Sequence, residues 1–361
     1  MKIGIIGLPA SGKTTIFNSL TRGKAEVGGF GSARSANVGV AHVPDERVDI
    51  LTEMYKSKKT VYAEVTYVDL PGSTSGDMFE GEAMAHLQQV DAILHVARAF
   101  EDESVPHMEG SVDYKRDIEK VSFDILFADI ALLERRIERL EGGIKKLKSA
   151  EREESAKNIK TLKRLQGDLE NGIAFRDRDL DPSEAKAVSD TFTLSSLPLL
   201  VALNIGEGDI GNTAELEKQV ASLLDGKSTG GAAICGSLEA ELVGMEEIEE
   251  AEMRAGLDAG DPGLSRMIKL SYMVLGLNSF LTVGEDETRA WTVNVGALAP
   301  KAAGVIHSDI ERGFIRAETV AYADFIDCGT MAEARNRGQF RQEGSEYVVQ
   351  DGDIINFLFS V

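Results

Sequence analysis

This sequence is poor in the features that would place it outside a reducing, aqueous compartment. Its only two cysteines, Cys235 and Cys328, stand far apart with no paired spacing. That argues against a disulfide framework or a cysteine-based zinc site and fits the cytoplasm. No apolar run approaches the ~18 residues that a membrane helix needs, so no membrane contact is expected. The apolar run at the start, Ile3 to Ile6, is too short for a signal peptide and reads as a strand. Tryptophan occurs once, at Trp291, and is expected in the core of the C-terminal part. Positive charge is also scarce: 39 Lys and Arg against 60 Asp and Glu leave a net −21. The deficit is uneven, however. Arg135 to Arg164 holds eleven basic and five acidic residues, a net of +6, which leaves −27 on the rest. An acidic body with one basic protrusion can still meet nucleic acid.

What is present starts at the N-terminus. MKIGIIGLPASGKTTIFNSL reads as a strand, a glycine-bounded loop and a helix. The segment Gly7 to Thr14 fits G-x-x-x-x-G-K-[ST], and its flanks supply the context of a phosphate-binding loop. Glycines let successive N–H groups turn inward, and the helix N-terminus adds partial positive charge. Pro9, Ala10, Ser11, Gly12, Lys13, Thr14 and Thr15 are therefore expected around the phosphates. Lys13 reaches the β- and γ-phosphates, and the Thr14 hydroxyl holds Mg²⁺.

The glycine- and serine-rich stretch from Arg22 to Ala36 has no period and reads as a loop, followed by a strand over Asn37 to Val43 and a short helix over Asp45 to Tyr55. Val61 to Val68 alternates as one strand and runs into Asp69-Leu70-Pro71-Gly72. That tetrapeptide alone is more often a turn. At a strand end after a phosphate loop it reads as a switch. Asp69 then holds Mg²⁺ through water, and the Gly72 N–H senses the γ-phosphate. Lys13, Thr14 and Gly72 are the candidate catalytic residues. His95, inside the apolar run AILHVA, reads as a core histidine.

Phe123, Leu126, Ile130, Leu133, Ile137, Leu140, Ile144 and Leu147 recur at alternating spacings of three and four, a coiled-coil seam. Ser149 to Ala156 is expected to break it. A second stripe runs through Ile159, Leu162, Leu169 and Ile173, with Gln166 at one seam position. A helical hairpin follows, its first arm about 36 Å long. Lys145, Lys146, Lys148, Arg152, Lys157, Lys160, Lys163 and Arg164 fall at and near its tip and point to a ribosome or RNA partner.

Leu197 to Leu203 is a buried strand ending in Asn204-Ile205-Gly206-Glu207. Guanine-specific switch proteins carry N-K-x-D here, the Lys stem lying over the base. Ile205 stands in place of that Lys and Glu207 in place of the Asp. The longer acid spoils a planar two-bond fit to guanine, so ATP is expected, with GTP as the alternative. Leu238 to Glu252 reads as one helix. From Leu277 on, strands and one helix, near Lys301 to Ser308, describe a small α+β domain.

The order of these parts resembles the YchF subfamily of Obg-related P-loop NTPases, the Obg-like ATPases. The likeness spans nearly the whole chain. It is carried by MKIGIIGLP, VDAILHVARAFED, DIEKVSFDILFADIALLERRIERLE, and the C-terminal FLTVGEDETRAWTV, APKAAGVIHSDIERGFIRAE and VVQDGDIINFLFSV. The resemblance implies an α/β fold, a P-loop NTPase G-type domain of mostly parallel sheet. A helical coiled-coil insertion interrupts it, and a β-grasp (TGS) domain follows. In residue numbers, 1–116 and 191–276 form the nucleotide-binding part, 117–190 the hairpin and 277–361 the TGS-like domain. Hydrolysis of ATP, with or instead of GTP, and association with ribosomes and translation are implied as well. Cys235 and Gly236 fall in the base-contacting loop that the family writes S-A-K. Three departures mark a divergent paralogue: Ala10-Ser11 for Asn-Val in the phosphate loop, Ala33 for the first-switch Thr, and Ser237 for the base-loop Lys. Ser32 or Ser35 could replace that Thr.

With Ser73 where many switch proteins place a water-orienting Gln, slow turnover is expected, open to stimulation by a partner or by K⁺. Two other readings remain: a nucleotide-binding module that has lost hydrolysis with its switch Thr, and a small-molecule kinase. The D-x-x-G and N-x-x-E at strand ends argue against the kinase.

Overall fold

The computed structural model describes residues 1–23, 36–70, 78, 79, 81–224, 226 and 228–360, apart from the side chains of Glu82 and Glu247. Ser32, Ala33, Ser35, Gly72 and Ser73 lie outside the described residues. In chain order the described strands are β1 (Lys2–Ile6), β2 (Asn37–His42), β3 (Thr60–Val61), β4 (Glu64–Asp69), β5 (Ala92–Ala99) and β6 (Leu199–Ile205). They continue with β7 (Thr229–Ile234), β8 (Leu277–Thr282), β9 (Thr288–Asn294), β10 (Phe314–Ala321), β11 (Arg341–Glu343) and β12 (Asp353–Phe359). The helices that matter most here are α1 (Lys13–Thr21), α2 (Glu46–Tyr55), α3 (Gly81–Leu87), α4 (Tyr114–Gly143) and α5 (Ser149–Glu170).

Two compact units result. The first comprises Met1–Val40 and Thr66–Leu270, the second Ala41–Val65 and Ser271–Val361. The sheet of the first has the order β2-β4-β1-β5-β6-β7. β1 lies parallel between β4 and β5, and β6 and β7 continue in the same sense. Strands buried on both faces need apolar side chains throughout, and β6 (LLVALNI) is buried at every position. The core includes two clusters. One contains Ile6, Ile93, Val121, Ile125 and Leu199. The other contains Ala97, Val201, Leu203, Val220 and Leu238. The expected helix over Leu238 to Glu252 is two helices, Gly236–Leu242 and Glu247–Gly256. Gly244 between them has φ 94°, a left-handed conformation that ends the first.

α4 and α5 pack along a shared row that includes Leu133, Ile137, Ile159, Leu162, Leu165 and Leu169. Three expectations need correction. Phe123 is 68% exposed and Ile173 41%, so neither lies in the seam. Leu165 takes the position expected of Gln166, whose amide bonds instead to Glu134 and Glu170. The break precedes Ser149, where the Glu151 carboxylate accepts the Lys148 N–H at 3.3 Å and starts α5. Midway along, α4 is tied to the turn before β6. Asp129, 1% exposed, accepts the N–H groups of Leu194 (2.9 Å) and Ser195 (2.7 Å).

The second unit holds a mixed sheet of order β11-β10-β12-β8-β9-β3. Phe280, Val293, Ala302, Ala317 and Phe357 form its core with the helix Ala299–Ile306. Three further helices, Ser308–Arg312, Tyr322–Cys328 and Met331–Asn336, exceed the single one expected. Trp291 borders this core only in part: its Nε1 donates to Thr282 Oγ1, and the Arg289 guanidinium covers its ring. The stretch expected as one strand over Val61 to Val68 is divided. β3 pairs with β9 of the second unit, whereas β4 pairs with β1. Ser57 Oγ donates to Gly284 O, and Arg47 joins Asp45 to Asp351, so 41–65 belongs to the second unit by its own bonds.

Asp129→Ala leaves two buried N–H groups without an acceptor. The urea transition of the first unit should weaken by about 2–4 kcal/mol. An unchanged midpoint would show that the tie contributes nothing.

Candidate functional site

The site is built where β1, β4, β5 and β6 end, the edge at which open α/β sheets bind ligands. β1 delivers the chain to Gly7, whose φ is 154°. A Cβ there would stand 2.5 Å from Val96 O, so β1 and β5 meet only because position 7 has no side chain. Gly12 (φ 90°) is constrained in the same way, since its Cβ would stand 2.2 Å from Asn204 Nδ2. Between them Ala10 sits exposed at φ 60°. The loop ends where α1 begins, and Ile16, Phe17 and Leu20 bury one face of that helix. Its free N–H groups therefore face the loop.

Lys13 folds back over this loop. Its Nζ donates to Gly7 O at 2.9 Å and Leu8 O at 3.0 Å. Burial lowers its pKa, and the nearby Asp69 carboxylate opposes that shift. Thr14 Oγ1 donates to Asp69 Oδ2 at 2.9 Å, and Asn37 Nδ2 approaches the same oxygen at 3.5 Å. Burial raises the Asp69 pKa, while Thr14, Asn37 and Lys13 act to lower it. The other oxygen, Oδ1, is buried with no hydrogen-bond partner among the described residues. A hydroxyl beside a carboxylate with one unmet oxygen fits a hard divalent cation that keeps most of its water. Mg²⁺ characteristically takes one or two protein oxygens beside phosphate. Among the described residues no cluster of three His, Cys, Asp or Glu offers a competing all-protein cage.

The third strand end brings Asn204. Its Nδ2 donates to Ser11 O at 3.0 Å, and its Oδ1 accepts the Gly236 N–H at 3.1 Å. Phosphate loop and 235–237 turn are thereby joined through one buried amide. Glu207 accepts a hydrogen bond from Ser237 Oγ at 3.4 Å, and Cys235 Sγ lies 3.3 Å from that hydroxyl. Pro9, Ser11, Gly12, Lys13, Thr14, Asp69, Asn204, Glu207 and Gly236 thus converge here, with Thr15 half-buried in the first turn of α1. Ile205 does not converge. It is 3% exposed and its side chain packs with Leu203 and Val220, so it cannot lie over a base. Cys235 is likewise largely a core residue, at 6% exposed.

Two neighbours escaped the sequence reading. Arg98 is buried beside Asn204 in the β5–β6 register. Phe100 abuts Gly206, whose Cβ would stand 3.6 Å from Phe100 Cβ. The available signal was an arginine inside an apolar strand.

On the hairpin, Lys145, Lys146, Lys148, Arg152, Lys157, Lys160, Lys163 and Arg164 are all exposed. Lys157 pairs with Glu153 and Lys163 with Glu141. Arg164 is bound by Asp181 and Glu184, which commits it to the hairpin's own packing. Lys145, Lys146 and Lys148 lie in and beside the link between α4 and α5.

His95 is 1% exposed, and burial, with the Lys13 charge, pushes its pKa down to about 3. The unfolded chain, at about 6.5, binds a proton there that the folded chain refuses, so this group costs stability as pH falls below about 6.5. His95→Gln should lose about 2 kcal/mol less than the wild type between pH 7 and pH 5. Equal losses in urea titrations would refute the assignment of His95 as a buried neutral imidazole.

Comparison with known proteins agrees with this geometry. Residues 2–128 match a family model described as "50S ribosome-binding GTPase". Residues 277–360 match the model of the YchF GTPase C-terminal region, described as "Protein of unknown function (DUF933)". The ribosome-binding ATPase YchF of Bacillus subtilis (strain 168) is 37% identical over 365 residues, covering 99% of this chain and 99% of that protein. The protein of the same name from Escherichia coli O157:H7 is 35% identical over 365 residues, covering 100% and 99%. Among solved structures, the Schizosaccharomyces pombe YchF GTPase matches with a TM-score of 0.84 at 29% identity, covering 99% of this chain and 97% of that one. With a phosphate loop, a strand-end Asp on its threonine and similarity of this extent along the whole length, the chain belongs to the YchF family of P-loop NTPases.

Proposed function

We propose that this chain is a nucleotide-switch NTPase that binds Mg²⁺–ATP in the loop from Gly7 to Thr14, hydrolyses it slowly and works at the ribosome. The observation that carries the reading is the Thr14–Asp69 bond beside the unmet Asp69 Oδ1. Thr14 and, through water, Asp69 would hold the cation, which supplies positive charge against the β- and γ-phosphate oxygens. Lys13 exchanges a loop carbonyl for a phosphate oxygen, and the N–H groups of the loop and of the first turn of α1 orient the chain of phosphates. Gly72 is assigned to the γ-phosphate. K⁺ is retained as a candidate activator.

Adenine is supported by the N-x-x-E arrangement, in which Glu207 is engaged by Ser237, and by the name "ribosome-binding ATPase" that the bacterial relatives carry. GTP is the second reading, favoured by the name "YchF GTPase" that the fission-yeast protein carries. The ribosome assignment rests on the names of the bacterial relatives and on the exposed lysines at the hairpin link. We assign 1–116 and 191–276 to nucleotide binding, except 41–65 and 271–276, which fall in the second unit, 117–190 to the hairpin, and 277–361 to a TGS-like β-grasp domain. A mixed sheet covered by the helix Ala299–Ile306 supports the last assignment.

Calorimetry with ATP, GTP and their diphosphates tests the base assignment. ATP should bind more tightly than GTP, and Glu207→Asp should narrow the gap by several-fold, roughly 1 kcal/mol. A wild type that prefers GTP tenfold or more sinks the adenine reading. Lys13→Ala should remove hydrolysis. Rapid turnover by the isolated protein would contradict slow basal activity.

Reversing Lys145, Lys146 and Lys148 together to Glu should weaken co-sedimentation with ribosomes. It should also flatten the salt dependence by about one unit of slope for each lost phosphate contact. The melting temperature should hold, since all three side chains are exposed. Undiminished ribosome binding at every salt concentration would exclude the hairpin link as the contact.

A further inference from the structure

Arg98 interrupts a strand that is otherwise apolar or neutral, and it is 2% exposed. A buried guanidinium is costly unless its donors are met. Here the partners are backbone carbonyls just downstream. Nε donates to Phe100 O at 3.1 Å and Nη2 to Asp102 O at 3.4 Å. The same group lies over the Phe100 ring, with Cζ 4.5 Å from its centre. Nη1 is buried and has no hydrogen-bond partner among the described residues. A leucine could fill this space without burying a charge, but it could hold neither the two carbonyls nor the face of the ring.

Its position indicates the use of these contacts. Arg98 is the register partner of Asn204 on β6. Neighbours in a parallel sheet carry their side chains to the same face, and Asn204 faces the phosphate loop through Ser11 O. Arg98 therefore stands on the phosphate-loop face, at the end of β5. Two residues further on, Phe100 borders Gly206 in the middle of the Asn204–Glu207 loop. The guanidinium thus holds both the carbonyl and the ring of the residue that backs that loop.

We propose that Arg98 is a positioning residue for the base half of the bound nucleotide. It sets Phe100 so that ring and 204–207 loop form one wall, and it takes no part in holding the phosphates. This rests on the nucleotide-binding reading of the site.

The test is the affinity for ATP and for inorganic tripolyphosphate, both with Mg²⁺, in the wild type, Arg98→Met, Arg98→Lys, Phe100→Ala and the Arg98→Met/Phe100→Ala double variant. Arg98→Met should bind ATP about tenfold more weakly, the 1.4 kcal/mol scale of a cation–π contact with its hydrogen bonds. Tripolyphosphate should be held within about twofold, which also shows that the phosphate loop is folded. Phe100→Ala should match that loss, and the double variant should lose no more than either, because residues acting as one unit are not additive. Arg98→Lys should recover part of the affinity, since an ammonium keeps the ring contact but lacks the planar fork. Parallel loss of tripolyphosphate, or additive losses in the double variant, overturns the proposal. So does wild-type affinity in Arg98→Met, while leaving the nucleotide site intact. A wild type that binds neither ligand overturns the site reading and this inference together.

Discussion

The buried amide of Asn204 is the constraint on which the site depends. It joins Ser11 O, 193 residues away in the chain, to the Gly236 N–H. An amide has a donor end and an acceptor end, and inside a protein neither can go unmet without cost. The order of partners is therefore fixed: a carbonyl on one side, an N–H on the other. The amide also occupies the space that side chains would need at positions 12 and 236, where a Cβ would stand 2.2 and 2.8 Å from its atoms. The second glycine of the phosphate loop is thus demanded twice, by its own left-handed φ and by a residue on the other half of the chain.

Much of this site was legible because its chemistry sits in short motifs at strand ends. Gly7 to Thr14 announces itself locally, Asp69 and Asn204 to Glu207 are read from their places at strand ends after it, and the parallel sheet brings them to one edge. The phase of a buried strand was not legible. In LLVALNI every residue is buried, so no alternation of polar and apolar residues shows which ones face the loop. Once Asn204 faces Ser11, Ile205 must face away, and it does, into the cluster with Leu203. The same blindness hid Arg98, whose face follows from its pairing with Asn204 and not from its own neighbours.

The helical insertion shows the other limit of periodicity. Spacings of three and four locate a helix, but they do not say which of several apolar stripes is buried. α4 has two successive partners. At its lower end Val121 and Ile125 pack with Ile93 and Leu199 on the sheet. Further along, Leu133 and Ile137 pack with Leu162 and Leu169 on α5. The buried stripe shifts where the partner changes, and Phe123, in phase with the upper stripe, is left in solvent at the lower end. Charge was easier to read than phase, because exposed lysines need no partner to be recognised.

The division of VYAEVTYV between two sheets has a similar origin. Its residues favour strand throughout, and local preference cannot see that Thr60–Val61 joins β9 while Glu64–Asp69 joins β1. Distant bonds decide: Lys58 N–H to Glu285 O and Thr288 N–H to Lys59 O hold one end. The β4–β1 register, with Asp69 opposite Ile5, holds the other. That register places the carboxylate two residues short of Gly7, within reach of the Thr14 hydroxyl. The carboxylate beside Thr14 is therefore set by the first unit's own sheet. The segment preceding it can belong to a different unit without disturbing the Thr14–Asp69 distance.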